Sequence, residues 1–189
     1  IVYRGDQVRD QDNNLLLFDQ TATTPTSLIA LNAAIWYACR KGHAASCSDA
    51  IQAFLQSELD DSDLTYVIIP VELWLDEWHT RFDPGTRLAV RLKKSLYGHP
   101  KAGRWWQDHL DRRLRALGAE EMPMYPSNYL IPWKIGNQTV TLLLNVYVDD
   151  LTLCGDQRCH SDFWNKLRES VKLEPEQYIL GREGTLILG

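Results

Sequence analysis

The sequence predicts an α+β fold, in which helices pack on one face of an antiparallel sheet. Two observations predict this class. Segments with helical and with strand-like periodicity alternate along the 189 residues, but without the regular strand–helix alternation of a parallel, doubly wound sheet. In addition, two apolar strand segments follow one another across Gly136-Asn137, as in an antiparallel hairpin.

The first predicted element of the chain is a helix. Thr23 or Thr24 can cap it, Pro25 suits its first turn, the apolar run 28–39 forms its body, and Gly42 follows its end. Periodicity and turn residues predict the next elements: a strand at 44–49, a helix at 50–59, a strand at 65–70, a charged loop at 74–86 and a strand at 87–92.

The second half begins with a turn marked by Gly and Pro at 95–103. A helix at 104–117 follows this turn and ends at Gly118. The remaining predicted elements are strands at 129–135, 139–147 and 151–154, a helix at 161–171 capped by Ser161, and a hairpin at 177–188 around Arg182-Glu183-Gly184.

Composition indicates an ordinary globular protein, with 44% hydrophobic and 24% charged residues. No apolar run is long enough for a membrane helix, and the N-terminus lacks the features of a signal peptide. We therefore expect an intracellular, cytoplasmic protein that is neither secreted nor membrane-bound. The cysteines at 39, 47, 154 and 159, even with His160, do not offer four clean zinc ligands, and buried or incidental thiols are the better interpretation.

Charge is distributed unevenly, although the net charge is only −5. The stretch 87–115 contains nine Lys and Arg residues but only two acids, and it includes Trp105 and Trp106. Such a stretch is typical of a groove that binds a nucleic-acid backbone, or of a solvated helix face. We favour the helix face for Arg112, Arg113 and Arg115, and core packing for the two tryptophans.

The segment NVYVDDLTL at 145–153 places two adjacent aspartates at the end of the most hydrophobic stretch. This is either turn chemistry or a pair of carboxylates that binds a cation. A turn would relax the alternation that points strand neighbours to opposite faces. Asp149 and a distant carboxylate would then be the main ligands, assisted by Asp150. Asp49 is the candidate partner, because it lies where a predicted strand passes into a helix, and magnesium suits such a site.

Three blocks resemble the reverse transcriptases of copia-type LTR retrotransposons. SDAIQAFLQSEL, LKKSLYGHPKAGRWW and LLLNVYVDD occur in that family's order and at similar spacing. RGDQV near the start and FWNKLRESVKLEP with YILG near the end are weaker matches, so the resemblance covers most of residues 4–181. It implies a ferredoxin-like palm with partial fingers and the activity of an RNA-directed DNA polymerase.

The resemblance also implies roles for individual residues. Asp49, Asp149 and Asp150 would be the catalytic carboxylates that bind two Mg²⁺ ions, with Mn²⁺ as an alternative. Phe54 would exclude the ribose 2′-hydroxyl, unless it is an ordinary core residue. The remaining implied contacts are Tyr97 and Gly98 to the nucleotide, Lys101 and Arg104 to nucleic-acid phosphates, and Tyr147 to the primer end, where cross-strand packing is the alternative for Tyr147.

The resemblance implies one domain over 1–189, with partial fingers at 1–43 and about 60–98 and a palm at 44–59 and 99–189. Thumb, RNase H and integrase regions are expected to be absent from this sequence and to belong to the rest of a Pol polyprotein. The implied partners are an RNA or DNA template-primer and deoxynucleoside triphosphates. The turn residues His99-Pro100 and Gly103 depart from the family pattern. An inactive, vestigial nucleic-acid-binding domain is therefore the main alternative, and a phosphodiesterase is a third.

Overall fold

The computed structural model describes residues 4–10, 12–16, 23–61 and 64–179. Its strands are β1 His43–Asp49, β2 Tyr66–Ile68, β3 Ala89–Arg91, β4 Glu120–Glu121, β5 Asn128–Ile135, β6 Gln138–Tyr147, β7 Asp150–Asp156 and β8 Gln177–Tyr178. Its α-helices are α1 Leu28–Ala38, α2 Ala53–Gln56, α3 Asp76–Arg81, α4 Ala102–Ala116 and α5 His160–Arg168. Short 3₁₀ segments lie at Gly5–Gln7, Val71–Leu73 and Gln157–Cys159.

The main sheet contains six strands in the order β4-β5-β6-β7-β1-β8, and β2 pairs with β3 in a separate two-stranded sheet. All of these pairings are antiparallel. The predicted α+β class with an antiparallel sheet is therefore confirmed. Across the part of the chain that the structure describes, no helix has the length and apolar character needed to cross a membrane.

One face of the main sheet forms the principal core. Alternate residues of β6 and β7 point to this face, and α4 and α5 cover it. Its largest fully buried side chains include Trp106, Leu114, Ile131, Leu142, Leu144, Leu151, Leu153, Phe163, Trp164 and Leu167. Burial of this apolar area supplies the main driving force for the fold.

The opposite face carries α1, so the prediction that all helices lie on one face is wrong. Ala34 and Ala38 of this helix pack against Ala45 of β1 and Cys154 of β7. These small side chains allow the helix to lie close to the sheet. The sequence of α1, LIALNAAIWYA, is apolar on nearly all sides. Its periodicity therefore could not indicate which face of the sheet it covers.

Helix boundaries differ from the sequence prediction at two caps. Ser27, rather than Thr23 or Thr24, caps α1, because its hydroxyl accepts a hydrogen bond from the Ala30 amide at 3.2 Å. Ser161 lies inside α5 instead of capping it. The side-chain cap lies upstream of α5. There the Asp156 carboxylate accepts a hydrogen bond from the Arg158 amide at the start of a 3₁₀ turn.

Two predicted segments have a different local structure. The loop predicted at 74–86 contains the helix α3. Its first turn carries Asp76 and Glu77, and its last turn carries Arg81. This order of charges stabilises a helix through its dipole. The helix predicted at 50–59 is reduced to the four residues of α2, because Gln52 adopts a left-handed conformation with φ of 51°. The predicted hairpin at 177–188 is described only as far as residue 179, and its turn lies outside the described residues.

Candidate active site

A two-residue loop, Val148-Asp149, joins β6 to β7, and Tyr147 pairs with Asp150 at its base. Val148 has a φ of 55°, a left-handed conformation that is costly for a β-branched residue. The indole nitrogen of Trp106 donates a hydrogen bond to the Val148 carbonyl oxygen at 2.7 Å. Trp106 is only 2% exposed, so a buried side chain of α4 fixes this strained turn.

The register of β1 and β7 brings the first aspartate to this turn. Asp49 is the direct partner of Asp150 in the antiparallel ladder. The Ala50 amide also donates a hydrogen bond to the Asp149 carbonyl oxygen at 2.9 Å. Because directly paired residues project from the same face, the Asp49 and Asp150 side chains share one face, with Asp149 in the adjoining loop. The structure thus brings all three predicted carboxylates to one end of the sheet.

The charges of these carboxylates act on one another. Burial raises the pKa of Asp49, and the negative charges of Asp149, Asp150 and Glu174 raise it further. The pKa of Asp150 is raised by burial and then by Asp149. Burial and the Asp150 charge likewise raise the pKa of the Cys47 thiol. The cluster therefore favours a positive partner.

The donor chemistry of this cluster fits a divalent cation, since carboxylate oxygens are the ligands that magnesium prefers. In the conformation that the structure describes for residues 4–10, 12–16, 23–61 and 64–179, however, no three His, Cys, Asp or Glu side chains stand close enough to hold a metal ion. The carboxylates are adjacent without forming a complete ligand set. Cys154 and Cys159 are buried thiols, in line with the sequence interpretation.

Glu174 is a fourth carboxylate that sequence reasoning missed. Its amide donates a hydrogen bond to the Asp49 carbonyl oxygen at 2.9 Å. The Ser48 hydroxyl donates to the Glu174 carbonyl oxygen at 2.7 Å. These two bonds fix the segment after α5 beside the end of β1. No motif in LEPEQ marks this position, and only the three-dimensional pairing of the segment with β1 reveals it.

Phe54 and Tyr97, which lie on separate segments, contact each other beside the carboxylates. Their ring centroids are 4.7 Å apart with an interplanar angle of 51°. Burial raises the pKa of Tyr97, and the charges of Asp149 and Asp49 raise it further. The Tyr97 hydroxyl therefore lies within the electrostatic influence of the aspartates. Phe54 also packs at the edge of the principal core, in line with its alternative interpretation as a core residue.

The turn after Tyr97 depends on close backbone contacts. Gly98 has a φ of 90°, which favours glycine. A Cβ atom on Gly5 would overlap the Gly98 carbonyl oxygen and would lie 2.8 Å from Pro100 Cδ. The 3₁₀ segment Gly5–Gln7 therefore lies directly against this turn. The segment RGDQV resembles the family pattern, but its contact with this turn is visible only in the structure.

His99, one of the residues that depart from the family pattern, contacts residues at the start of α4. The His99 ring stacks on Trp105, with centroids 4.5 Å apart and an interplanar angle of 26°. The Lys101 amide donates a hydrogen bond to His99 Nδ1 at 3.1 Å. These contacts of His99 help to order the start of α4.

The predicted nucleic-acid contacts occupy different environments. Tyr147 is exposed and projects from the same face as its partner Asp150. Lys101 immediately precedes α4 and is half-buried. Arg104 is exposed, and its guanidinium is 2.9 Å from the Asp108 carboxylate. An arriving phosphate would compete with that exposed ion pair, which costs little to break.

Comparison with protein families gives a match over most of the chain. Residues 19–179 match the family model described as reverse transcriptase (RNA-dependent DNA polymerase). This span contains the three sequence blocks and every site residue predicted above. No solved structure matches the chain.

Proposed function

Because the chain belongs to the reverse transcriptase (RNA-dependent DNA polymerase) family, we propose that it is a copia-type polymerase domain that extends a primer on an RNA or DNA template. The reaction would be nucleotidyl transfer, in which the primer 3′-hydroxyl attacks the α-phosphate of a deoxynucleoside triphosphate and diphosphate leaves. The observation that carries this proposal is the register pairing of Asp49 with Asp150 beside Asp149.

Asp49, Asp149 and Asp150 are the proposed ligands of two Mg²⁺ ions, for which Mn²⁺ could substitute. Bound ions of this kind activate an attacking hydroxyl and neutralise the developing charge of the phosphates. The chain itself supplies the position of the carboxylates. The Trp106 hydrogen bond to Val148 holds the loop, and the β1–β7 ladder holds Asp49 against it. Such positioning is the main requirement of phosphoryl-type transfer.

Phe54, Tyr97 and Gly98 are the proposed nucleotide-binding residues. The contact between the Phe54 and Tyr97 rings supports this assignment, because it forms an aromatic surface close to the carboxylates. A sugar that lies against Phe54 would lack room for a 2′-hydroxyl, which favours deoxynucleotides by exclusion. Gly98 permits the backbone to approach the nucleotide closely.

Tyr147, Lys101 and Arg104 are the proposed contacts to template-primer. Tyr147 lies beside Asp150 on the exposed face and could support the primer end. Lys101 and Arg104 at the start of α4 would contact backbone phosphates. The separate β2–β3 sheet would belong to the fingers, at 1–43 and about 60–98, and the six-stranded sheet to the palm, at 44–59 and 99–189. RNase H and integrase of a Pol polyprotein are the proposed partner domains.

Primer extension tests this proposal. The wild-type chain, Asp149→Asn and the control Asp83→Asn would be supplied with a labelled primer on RNA and DNA templates, deoxynucleotides and Mg²⁺. Asp83 lies in an exposed loop and is not one of the proposed site residues, so its variant should extend primers normally. We expect Asp149→Asn to lose on the order of a hundredfold in rate, because a metal ligand contributes several kcal/mol. Equal incorporation by wild type and Asp149→Asn would refute the assignment.

The competing function is a vestigial domain that binds nucleic acid without turnover. The observation that favours it is that the carboxylates of the described residues do not form a complete metal ligand set. Template-primer binding by the wild-type chain without any extension would support this alternative. Release of mononucleotides in the absence of deoxynucleotides would instead indicate a phosphodiesterase.

A further inference from the structure

A cavity of about 430 Å³ lies between α2, α4 and the segment that follows α5. None of the proposed catalytic, nucleotide-binding or template-binding residues lines it. Its walls come from residues 51, 52, 55, 56 and 58–60, from Lys94, from one side of α4 and from Ser170 and Lys172. Its size is that of a small-ligand site.

Four cationic side chains from three chain segments line this cavity, namely Lys94, Arg112, Arg113 and Lys172. Glu58 and Asp60 are the acids among its lining residues. Arg112 Nε donates to the Asp108 carbonyl oxygen at 3.2 Å. Within the described ranges, the charged groups of Lys94, Arg113 and Lys172 form no ion pair. The cavity therefore has an excess of positive charge that an anion would balance.

His109 adds a buried polar group to the same wall. This residue is 7% exposed, and its Nε2 atom has no hydrogen-bond partner. Its ring stacks on Trp106 with an interplanar angle of 20°. The nitrogen itself is buried, so a ligand in the cavity would act on this ring through its charge rather than through a direct hydrogen bond.

Burial and the surrounding cations together lower the pKa of His109 and so favour its neutral form. Burial lowers its pKa, the cations Arg113, Arg112 and Lys94 lower it further, and Glu58 opposes them. A bound anion would oppose the cations and raise the pKa of His109.

Reciprocal hydrogen bonds hold the cavity walls together. The side chain of Gln56 donates from Nε2 to the Lys172 carbonyl oxygen at 3.0 Å and accepts from the Lys172 amide at 2.8 Å. The Ser95 amide donates to the Ser57 carbonyl oxygen at 2.9 Å, which fixes the backbone next to Lys94. The segments that carry the cations are therefore preorganised, which lowers the cost of binding.

We propose that this cavity binds a small phosphate-bearing anion, held by Lys94, Arg112, Arg113 and Lys172. Arg and Lys are the residues that bind phosphate oxygens through charge-assisted hydrogen bonds. Glu58 and Asp60 favour a compact ligand, because a long phosphodiester chain that continued past the cavity would meet their negative charges. The proposal is independent of the polymerase function.

Calorimetric titration of inorganic diphosphate into the 189-residue chain, with chelator present and nucleic acid absent, tests the proposal. We expect saturable binding that Arg113→Gln and Lys172→Gln each weaken about tenfold, the loss expected for one charge-assisted hydrogen bond. Arg115→Gln is the matched control, since this residue lies on the same helix, pairs with Asp111 and does not line the cavity. Parallel titrations with inorganic phosphate and adenosine monophosphate would separate free from esterified phosphate.

NMR of the histidine rings gives a second readout that does not depend on the variants. Diphosphate should shift the His109 ring resonances and raise the pKa of this residue. Absence of saturable binding, or equal weakening by Arg115→Gln and Arg113→Gln, would overturn the proposal. Displacement of diphosphate by a single-stranded oligonucleotide that binds the same residues more tightly would also overturn it, because the site would then serve a polymer.

Discussion

Asp49 lies directly opposite Asp150 in the β1–β7 ladder, although these two residues are 101 positions apart in the sequence. Like charges in directly opposed positions destabilise an antiparallel pair. The ladder nevertheless places them together beside Asp149, and burial and repulsion raise the pKa of both residues. The end of this sheet therefore carries an electrostatic cost, which is typical of a site that is completed by a cation.

Neutralising Asp49 should stabilise the protein when divalent cations are absent. Its pKa is raised, so the folded state binds the proton more tightly than the unfolded state does. The stability that this proton contributes is fully present below the pKa of Asp49 in the unfolded state. It is lost as the pH rises through the higher pKa of Asp49 in the folded state. The free energy of unfolding of Asp49→Asn should thus equal that of wild type at about pH 3 and exceed it by about 0.5 kcal/mol near neutrality.

Chemical denaturation in chelator at several pH values measures this difference, with Asp83→Asn as the control for a lost surface charge. Added Mg²⁺ should stabilise wild type more than Asp49→Asn, because a ligand stabilises the state that binds it. An Asp49→Asn protein that is less stable than wild type at neutral pH in chelator would contradict the repulsion described here.

Trp106→Phe should reduce both stability and primer extension. The substitution removes the 2.7 Å hydrogen bond to the Val148 carbonyl oxygen but keeps an aromatic ring in the core. We expect a loss of about 1–2 kcal/mol in the free energy of unfolding. Trp133→Phe is the matched control, since Trp133 donates a similar bond to Asp162 at 3.0 Å. If both variants lose stability but neither loses extension activity, Trp106 has no role in positioning the turn.

Phe54→Val should reduce discrimination against ribonucleotides by at least about tenfold, because steric exclusion of one group is worth 1–3 kcal/mol. The ratio of incorporation of deoxynucleotide to ribonucleotide measures this change. Phe82→Val serves as the control, since Phe82 contacts Trp74 in another part of the molecule. A Phe54→Val protein with lower stability and an unchanged ratio would identify Phe54 as a core residue only.

Gly5→Ala should weaken binding of the incoming nucleotide. A methyl group there would meet backbone at the Gly98 carbonyl oxygen and the ring of Pro100, neither of which can move aside cheaply. The turn that carries Tyr97 must then shift, and we expect the KM for deoxynucleotide to rise about tenfold, since small displacements of positioning groups are costly. Gly85→Ala has open space around its Cβ and is the control. Equal KM values for both variants would show that the contact is dispensable.

The strand that ends at Asp49 and the turn at Asp149 could be predicted from the sequence, because both lie in short segments with clear periodicity. The roles of these residues and of Phe54 rest on the family resemblance and stay predictions. The Trp106 tether and the proximity of Glu174 could not be predicted, since both depend on contacts between distant segments. No pattern within α4 indicates that one indole nitrogen reaches the Val148 carbonyl.

The same distinction explains the errors in the fold. α1 is apolar all round, so its sequence fits either face of the sheet, and its packing on Ala45 and Cys154 is visible only in the structure. The many charged residues at 74–86 predicted a loop, yet the order of these charges stabilises the helix α3. The apolar spacing at 50–59 resembled a longer helix, which the left-handed Gln52 interrupts.

The pairing of β1 with β7 also has a kinetic consequence. Its partners are separated by 101 positions at Asp49–Asp150 and by 113 at His43–Asp156. Closing so long a loop costs chain entropy before any contact repays it, and proteins dominated by such contacts fold slowly. The β6–β7 hairpin can form early from neighbouring residues, whereas the carboxylates meet only when β1 docks. During synthesis, most of this chain must therefore have emerged from the ribosome before Asp49 can meet Asp149 and Asp150.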